Sequence, residues 1–307
     1  MTLTSSRQRP QVVRLSRVGA AANRSTFQRS LLFHLFAWSI LGAALTPLYA
    51  GNTNNIMLTG YWPPTNEMVR HFSDSPTQNP KGWQGLDWEG RGYNIYSYFP
   101  EFVDFPNQPI GVGDFEVDYQ DTSADWWRIV EQVKPVAIIT FSRTTQFPIG
   151  WEVELRQRNL MTWANDYLAP LQPTPAPPDS SVPAGTIRFS TLPAQEIVDA
   201  VRAEVPGVNP RIDTTSFGGG FLSEFIAYHG VWYHDIHAME DDPFRNVAAG
   251  HIHVGGNVTV AQGRAATEVT LRQVIARVDQ ILMVPEPIVS ALVLCLLGLG
   301  FARRSRG

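Results

Sequence analysis

Ser223 stands just after Gly218-Gly219-Gly220 in SFGGGFLSE, where a helix is expected to begin, and His253 follows thirty residues later in AGHIHVGG. Glycine lets the backbone take positive φ and approach a ligand closely. The first turn of a helix offers N–H groups without intrahelical partners at the positive end of the dipole. A hydroxyl placed there lies beside ready oxyanion donors, and an imidazole is the usual base for a hydroxyl nucleophile. The chemistry these residue types could perform is acyl transfer. Glycine-rich strand-to-helix turns are common, however, and a serine in a first turn also serves as a cap, so the pair is a candidate and not a proof.

A second constellation overlaps the first. His229, His234, His237, His251 and His253 crowd together with Asp235, Glu240, Asp241 and Asp242, in HDIH and HIH spacings that could supply a zinc site. Two histidines separated by one residue on a strand share a face, so His253 can act as a base while His251 packs or lines the pocket. His229 and His234 read as satisfied structural groups. The primary reading therefore requires no metal and no cofactor, and a zinc hydrolase built on positions 229–253 stands as an alternative.

The elements that would position these groups alternate. Asn55–Gly60 reads as a first strand; Ala124–Val133 has helical spacing, stops before Pro135 and leads into the buried strand VAIITF. Leu192–Val205 is an amphipathic helix with a proline near its start. Arg211–Thr214 is a strand, Phe221–Trp232 a helix, His251–Val254 a strand and Val269–Met283 a last amphipathic helix. This order predicts an α/β domain, a largely parallel mixed sheet flanked by helices in three layers. Two segments interrupt it. Trp83–Phe105, rich in aromatics and glycine, reads as a hairpin covering a sheet edge or as a cleft wall. Ala169–Gly185 is a proline-rich exposed linker or lid.

Four stretches, in order, resemble the pyroglutamyl-peptidase I family of cysteine peptidases. LTGYWPP at 58–64 is similar to its opening TGFxPF strand and loop, and KPVAIITFSR to its second strand. LPAQEIVDAVRAEVPG followed by SFGGGFLSE resembles the helix and nucleophile segment, and AGHIHVG the GFIHVP strand of the catalytic histidine. The resemblance implies that Ser223 occupies the place of the nucleophilic cysteine, His253 that of the histidine, and Glu152 of GWEVE that of the acid. Glu154 takes the third place in a slightly shifted alignment. It also implies that Tyr61 and Trp62 wall the pocket and that backbone N–H groups around Gly219, Gly220 and Ser223 hold the oxyanion. The chain departs from the family in carrying serine for cysteine, Pro64 for a second phenylalanine, and Thr65-Asn66 for glycines. A site built for a thiolate does not automatically deprotonate a hydroxyl, since a thiol titrates near 8.5 and an alkyl hydroxyl far higher.

The ends point to export. Six arginines and no acidic residue precede the apolar run Leu31–Leu48, which ends in Tyr49-Ala50-Gly51, so 1–50 reads as a signal peptide, with an uncleaved anchor as the alternative. Residues 284–307, VPEPIVSALVLCLLGLGFARRSRG, resemble the PEP-CTERM sorting tail of bacterial exosortase systems. That resemblance implies an exosortase-type partner and transient membrane anchoring, with the body, 51–283, at the cell envelope or outside. Nine of the 24 basic residues and only Glu286 of the 28 acidic ones lie in these ends, so the body carries a formal charge of −12. So acidic a surface argues against nucleic acid or anionic lipid as partners. Cys295, in the tail, is the only cysteine, so the body has no thiol nucleophile and no internal disulfide. The expected protein is an exported amidohydrolase or peptidase with a Ser-His-Glu triad acting on a peptide or amide. A non-catalytic envelope or matrix binding protein of the same fold is the main alternative.

Overall fold

The computed structural model describes residues 53–215 and 218–283. The signal-peptide and sorting-tail expectations lie outside these residues. Among the described residues no helix is long and apolar enough to cross a membrane.

Among the described residues, ten strands and five α-helices follow in chain order: β1 (Asn55–Thr59), α1 (Thr65–Val69), β2 (Asn94–Tyr98), β3 (Pro100–Glu101), β4 (Val112–Gly113), α2 (Tyr119–Val133), β5 (Ala137–Thr144), β6 (Gly150–Glu154), β7 (Arg156–Arg158), β8 (Ile187–Phe189), α3 (Ala194–Glu204), β9 (Asn209–Asp213), α4 (Leu222–Ile236), β10 (Ala248–Gly255) and α5 (Val260–Met283). Six strands form one sheet in the order β2-β1-β5-β10-β6-β9, with two small two-stranded ribbons, β3-β4 and β7-β8. All neighbours in the main sheet are parallel except β10 and β6. This is the mixed, mostly parallel α/β architecture that the strand–helix alternation predicts.

Strand alternation sorts the core into two layers. Ile56, Leu58, Ile139, Phe141, Trp151, Val153, Ile252 and Val254 face α1, α3 and α5. Met57, Ile138 and Ala249 face α2 and α4. Each fully buried aliphatic or aromatic side chain contributes about 1.5–3 kcal/mol to holding the layers together. Helix α2 shows how local chemistry places an element. Asp118 caps its start, accepting from the N–H groups of Gln120 and Asp121, and Lys134 ends it in the left-handed region at φ 50°, just before Pro135. Trp126, Ile129, Val130 and Val133 then form its buried stripe.

Two expectations are corrected here. The segment 83–105 is no hairpin: its core is β2, a parallel edge strand beside β1, with Trp83 stacked on Tyr96 at 4.7 Å. The proline-rich stretch 169–185 is no free linker, because Asp179 within it is fully buried and accepts from Arg188 at 2.6 Å and from the Tyr228 hydroxyl at 3.0 Å.

His229, on α4, sits in an aromatic cage, 4.5 Å from the Phe225 ring, 5.6 Å from Trp232 and 5.8 Å from Trp126. Its Nδ1–H donates to the Phe225 carbonyl at 2.8 Å, and Nε2 finds no partner among the described residues. Burial pushes its pKa down to about 4. The unfolded chain takes up a proton near pH 6.5 that the buried ring refuses, so stability is lost as pH falls from about 6.5 to 4, by on the order of 3 kcal/mol. His229→Phe is therefore expected to match wild type at pH 7.5 and to lose less stability on acidification. Urea titrations at pH 7.5 and 4.5 check this; an unchanged acid loss in the variant would refute it.

Candidate active site

The central strands bring the chemistry together. All residues of β10 and β6 are buried. In their antiparallel register His253 lies opposite Glu152, and His251 opposite Glu154. The parallel β9 continues both rows, with Arg211 beside Glu152 and Asp213 beside Glu154. Since Trp151, Val153, Ile252 and Val254 fill one layer of the core, the polar residues between them all face the other side, where α4 carries Ser223.

Within this face the pairing is diagonal. His253 Nδ1 meets Glu154 Oε1 at 2.6 Å, two residues along the neighbouring strand, a reach long side chains can make. Glu152 makes no hydrogen bond to the histidine among the described residues: its Oε1 is taken by the Arg211 guanidinium directly opposite on β9. Arg211 in turn lies over the Phe147 ring, 3.2 Å from its centre. The residue behind the imidazole is thus Glu154 and not Glu152, because a permanent guanidinium outcompetes a titratable ring for the nearer carboxylate.

Burial acts to lower the His253 pKa, but the Glu154 carboxylate outweighs it, aided by Glu152 and Asp213, and the ring titrates above its ordinary value. Burial also raises Glu152, an effect that Arg211 partly offsets. His251 behaves oppositely. Burial, then the charge of His253, holds its pKa well below the usual value, so it is neutral. Its ring nitrogens meet the hydroxyls of Thr140 and Ser142, each at 2.8 Å, and its ring stands edge-on to His253 at 4.7 Å.

Ser223 is the second residue of α4, entered through Phe221 in extended conformation with no side-chain cap. The glycine turn before it needs glycine for two different reasons. At Gly218 φ is +76° and a Cβ would lie 2.9 Å from Glu224 Cα; at Gly219 φ is +84° and the missing Cβ leaves open space. Glu224 clamps the turn. It is fully buried, accepts from the Gly220 N–H at 2.7 Å, and pairs with Arg158 at 2.8 and 2.9 Å. It is the third residue of α4, and its carboxylate reaches back past the Phe221 cap position to the turn; with no Ser or Thr at that cap, the sequence carries no capping-box signal that would have marked the clamp.

One cavity of about 420 Å³ is lined by Ser223, His253, Gly218, Gly219, Glu152, Arg211, Asp213, Phe147 and Arg143. Ser223 and His253 therefore share a cavity, yet Ser223 Oγ donates to the Gly218 carbonyl at 2.9 Å, and no hydrogen bond joins it to His253 among the described residues. Tyr61 is not part of the wall. It is 2% exposed, its hydroxyl lies 2.8 Å from Thr122 Oγ1, and burial raises its pKa. Trp62, the next residue, points to the opposite environment, stacked on Phe102 at 4.2 Å with the Arg143 guanidinium 5.7 Å from its ring centre. Gly220 serves through its N–H to Glu224.

Of the clustered histidines, His251 and His253 are the two that converge on each other and on a shared carboxylate among the described residues. Their ligand atoms and those of Glu154 lie within 4.8 Å of one another, the one such group among the described residues. His229 is caged, His234 Nδ1 meets Asn246 at 3.1 Å and His237 Nδ1 meets Asp242 at 3.0 Å.

The fold is that of the pyrrolidone carboxyl peptidases. The enzyme of that name from Thermococcus litoralis superposes with a TM-score of 0.52 at 14% identity, over 74% of this chain and 95% of its own. Pyrrolidone carboxyl peptidase from Pyrococcus furiosus gives 0.52 at 14%, over 73% and 99%, and pyroglutamyl peptidase I of Bacillus amyloliquefaciens 0.50 at 15%, over 72% and 97%. No family model and no curated protein matches the chain.

Proposed function

We propose that the chain is a hydrolase of amide bonds in which Ser223 is the nucleophile, His253 the base and Glu154 the residue that orients it. The observation that carries this reading is the 2.6 Å His253–Glu154 hydrogen bond beside a cavity that also holds a helix-start serine. With Nδ1 committed to Glu154, Nε2 is the ring nitrogen left to act. Ser223 Oγ attacks the amide carbonyl as His253 Nε2 takes its proton. The oxyanion is met by N–H groups of the turn and first turn of α4, and the imidazolium gives its proton to the leaving amine. Water, activated by the same nitrogen, then releases the acyl group. To begin, Ser223 must exchange its bond to the Gly218 carbonyl for one to His253, a swap of about 1 kcal/mol, and apo sites commonly tighten only when substrate binds. The likeness of fold to proteins named peptidases supports the amide as substrate class. A raised His253 pKa makes it a stronger base, which a hydroxyl nucleophile needs. We further propose that the basic apolar start and the PEP-CTERM-like end send this domain to the envelope, where serine escapes the oxidation that threatens a reactive thiol.

The Ser223–Gly218 bond favours a second reading, a binding protein whose serine only braces the turn. The three-ligand group invites a metal, but its atoms already satisfy one another and the hydroxyls of Thr140 and Ser142. Covalent labelling of the purified full-length protein with a fluorophosphonate, located by peptide mass mapping, separates these readings. Modification at Ser223 supports the hydrolase. A folded, unlabelled protein supports the binding reading, and stoichiometric zinc in that sample the metal one.

A further inference from the structure

The cavity holds two arginines in different circumstances. Arg211 is committed to Glu152, whereas Arg143, exposed at the end of β5, pairs with no carboxylate among the described residues. On a body whose formal charge is −12, a guanidinium left without an acid beside a reaction cavity requires a reason. It is also held in place: the group lies 5.7 Å from the centre of the Trp62 ring, and Trp62 is fixed by Phe102. Stacking of this kind orients the planar fork while leaving its N–H donors free. The acids of the site lie on other strands: Glu152 and Glu154 are on β6, two strand spacings from β5, about 10 Å between backbones. Arg143 lies on β5 and Asp213 on β9, three strand spacings away, about 14 Å between backbones. Aromatic surface runs from Ser223 toward Arg143, since Phe221 meets Tyr167 at 6.2 Å and Tyr167 meets Trp62 at 6.5 Å. Tyr167 is 47% exposed, so this surface is open to a ligand.

We propose that Arg143 is a specificity-determining residue that binds a carboxylate of the substrate, with the substrate's apolar group laid against the Trp62–Tyr167 aromatic surface. The inference deepens the amide-hydrolase reading and rests on it for the position of the scissile bond. The substrate class is then an acidic amide, most simply a peptide presenting its C-terminal carboxylate next to an apolar side chain. Arg143 touches that carboxylate, not the reacting carbonyl.

The test is equilibrium binding to the full-length Ser223→Ala protein, so that it does not depend on turnover. The probes are acetyl-Ala-Phe with a free C-terminal carboxylate and the same peptide amidated. The free acid is expected to bind about 10-fold more tightly at low salt, with the preference shrinking as salt is raised. In Ser223→Ala/Arg143→Gln the preference should fall below about 2-fold, and Arg143→Lys should restore part of it without the bidentate geometry. Equal affinity for the two peptides, no binding of either, or a preference that survives Arg143→Gln overturns the proposal. Preference for the acid in a protein whose wild-type form takes no fluorophosphonate would leave the anion subsite standing and remove the hydrolase.

Discussion

Ser223→Ala is expected to abolish fluorophosphonate labelling and to lower amide turnover by about 10⁴–10⁶-fold, the loss usual when the nucleophile of a cooperating set is removed. The fold should hardly notice. The hydroxyl makes one hydrogen bond, to the Gly218 carbonyl, whose loss costs about 1 kcal/mol, and the turn remains clamped by Glu224 and Arg158. Loss of labelling with a near-unchanged melting temperature therefore assigns a chemical role to the serine. A large drop in melting temperature with labelling retained at another site would reverse the assignment and make Ser223 a brace.

The second large effect distinguishes two carboxylates two positions apart. Glu154→Gln removes the acceptor that fixes the His253 tautomer, and labelling and turnover should fall by about 10²–10⁴-fold. It also removes the main influence that raises the His253 pKa, leaving burial to act against it. Catalysis needs the ring neutral, so in wild type the rate rises as pH passes through the raised pKa. In Glu154→Gln that acid limb moves to lower pH. Glu152→Gln shifts the limb the same way by less, and breaks a pair whose arginine is half-buried and stays in contact with solvent, so its stability cost is only about 1 kcal/mol and its rate cost under about 10-fold. Rate–pH profiles of the two variants decide the matter. If Glu152→Gln gave the larger loss and the larger shift, the diagonal pairing would not be the working one.

Much of the frame is legible in the residues. Glycine punctuation and proline stops mark β1, α2, β5 and α3 to within a few positions, and the three glycines before Ser223 mark the turn into α4. The choice between Glu152 and Glu154 is not legible. Both lie on one strand at even spacing and face the same side, and what separates them is Arg211, which reaches Glu152 only through the β6–β9 register. Tyr61 and Trp62 illustrate the same limit, since adjacent aromatics read alike although one is core and the other sits at the rim. The strand within 83–105 misleads because aromatic and glycine content signals a sheet edge without disclosing strand direction.

Strand β10 enters the middle of the sheet although it is the last of the described strands. Until residues 248–255 have been synthesised and have found their place, β5 and β6 each present an unpaired edge, and the His253–Glu154 pair, 99 residues apart in sequence, cannot exist. Folding is thus closed by a keystone: a shorter chain ending before β10 leaves two sticky borders and no chemistry. Under the proposed hydrolase reading, cohesion and the reactive centre arrive together, because a chain short of β10 lacks the His253–Glu154 pair on which that activity would rest.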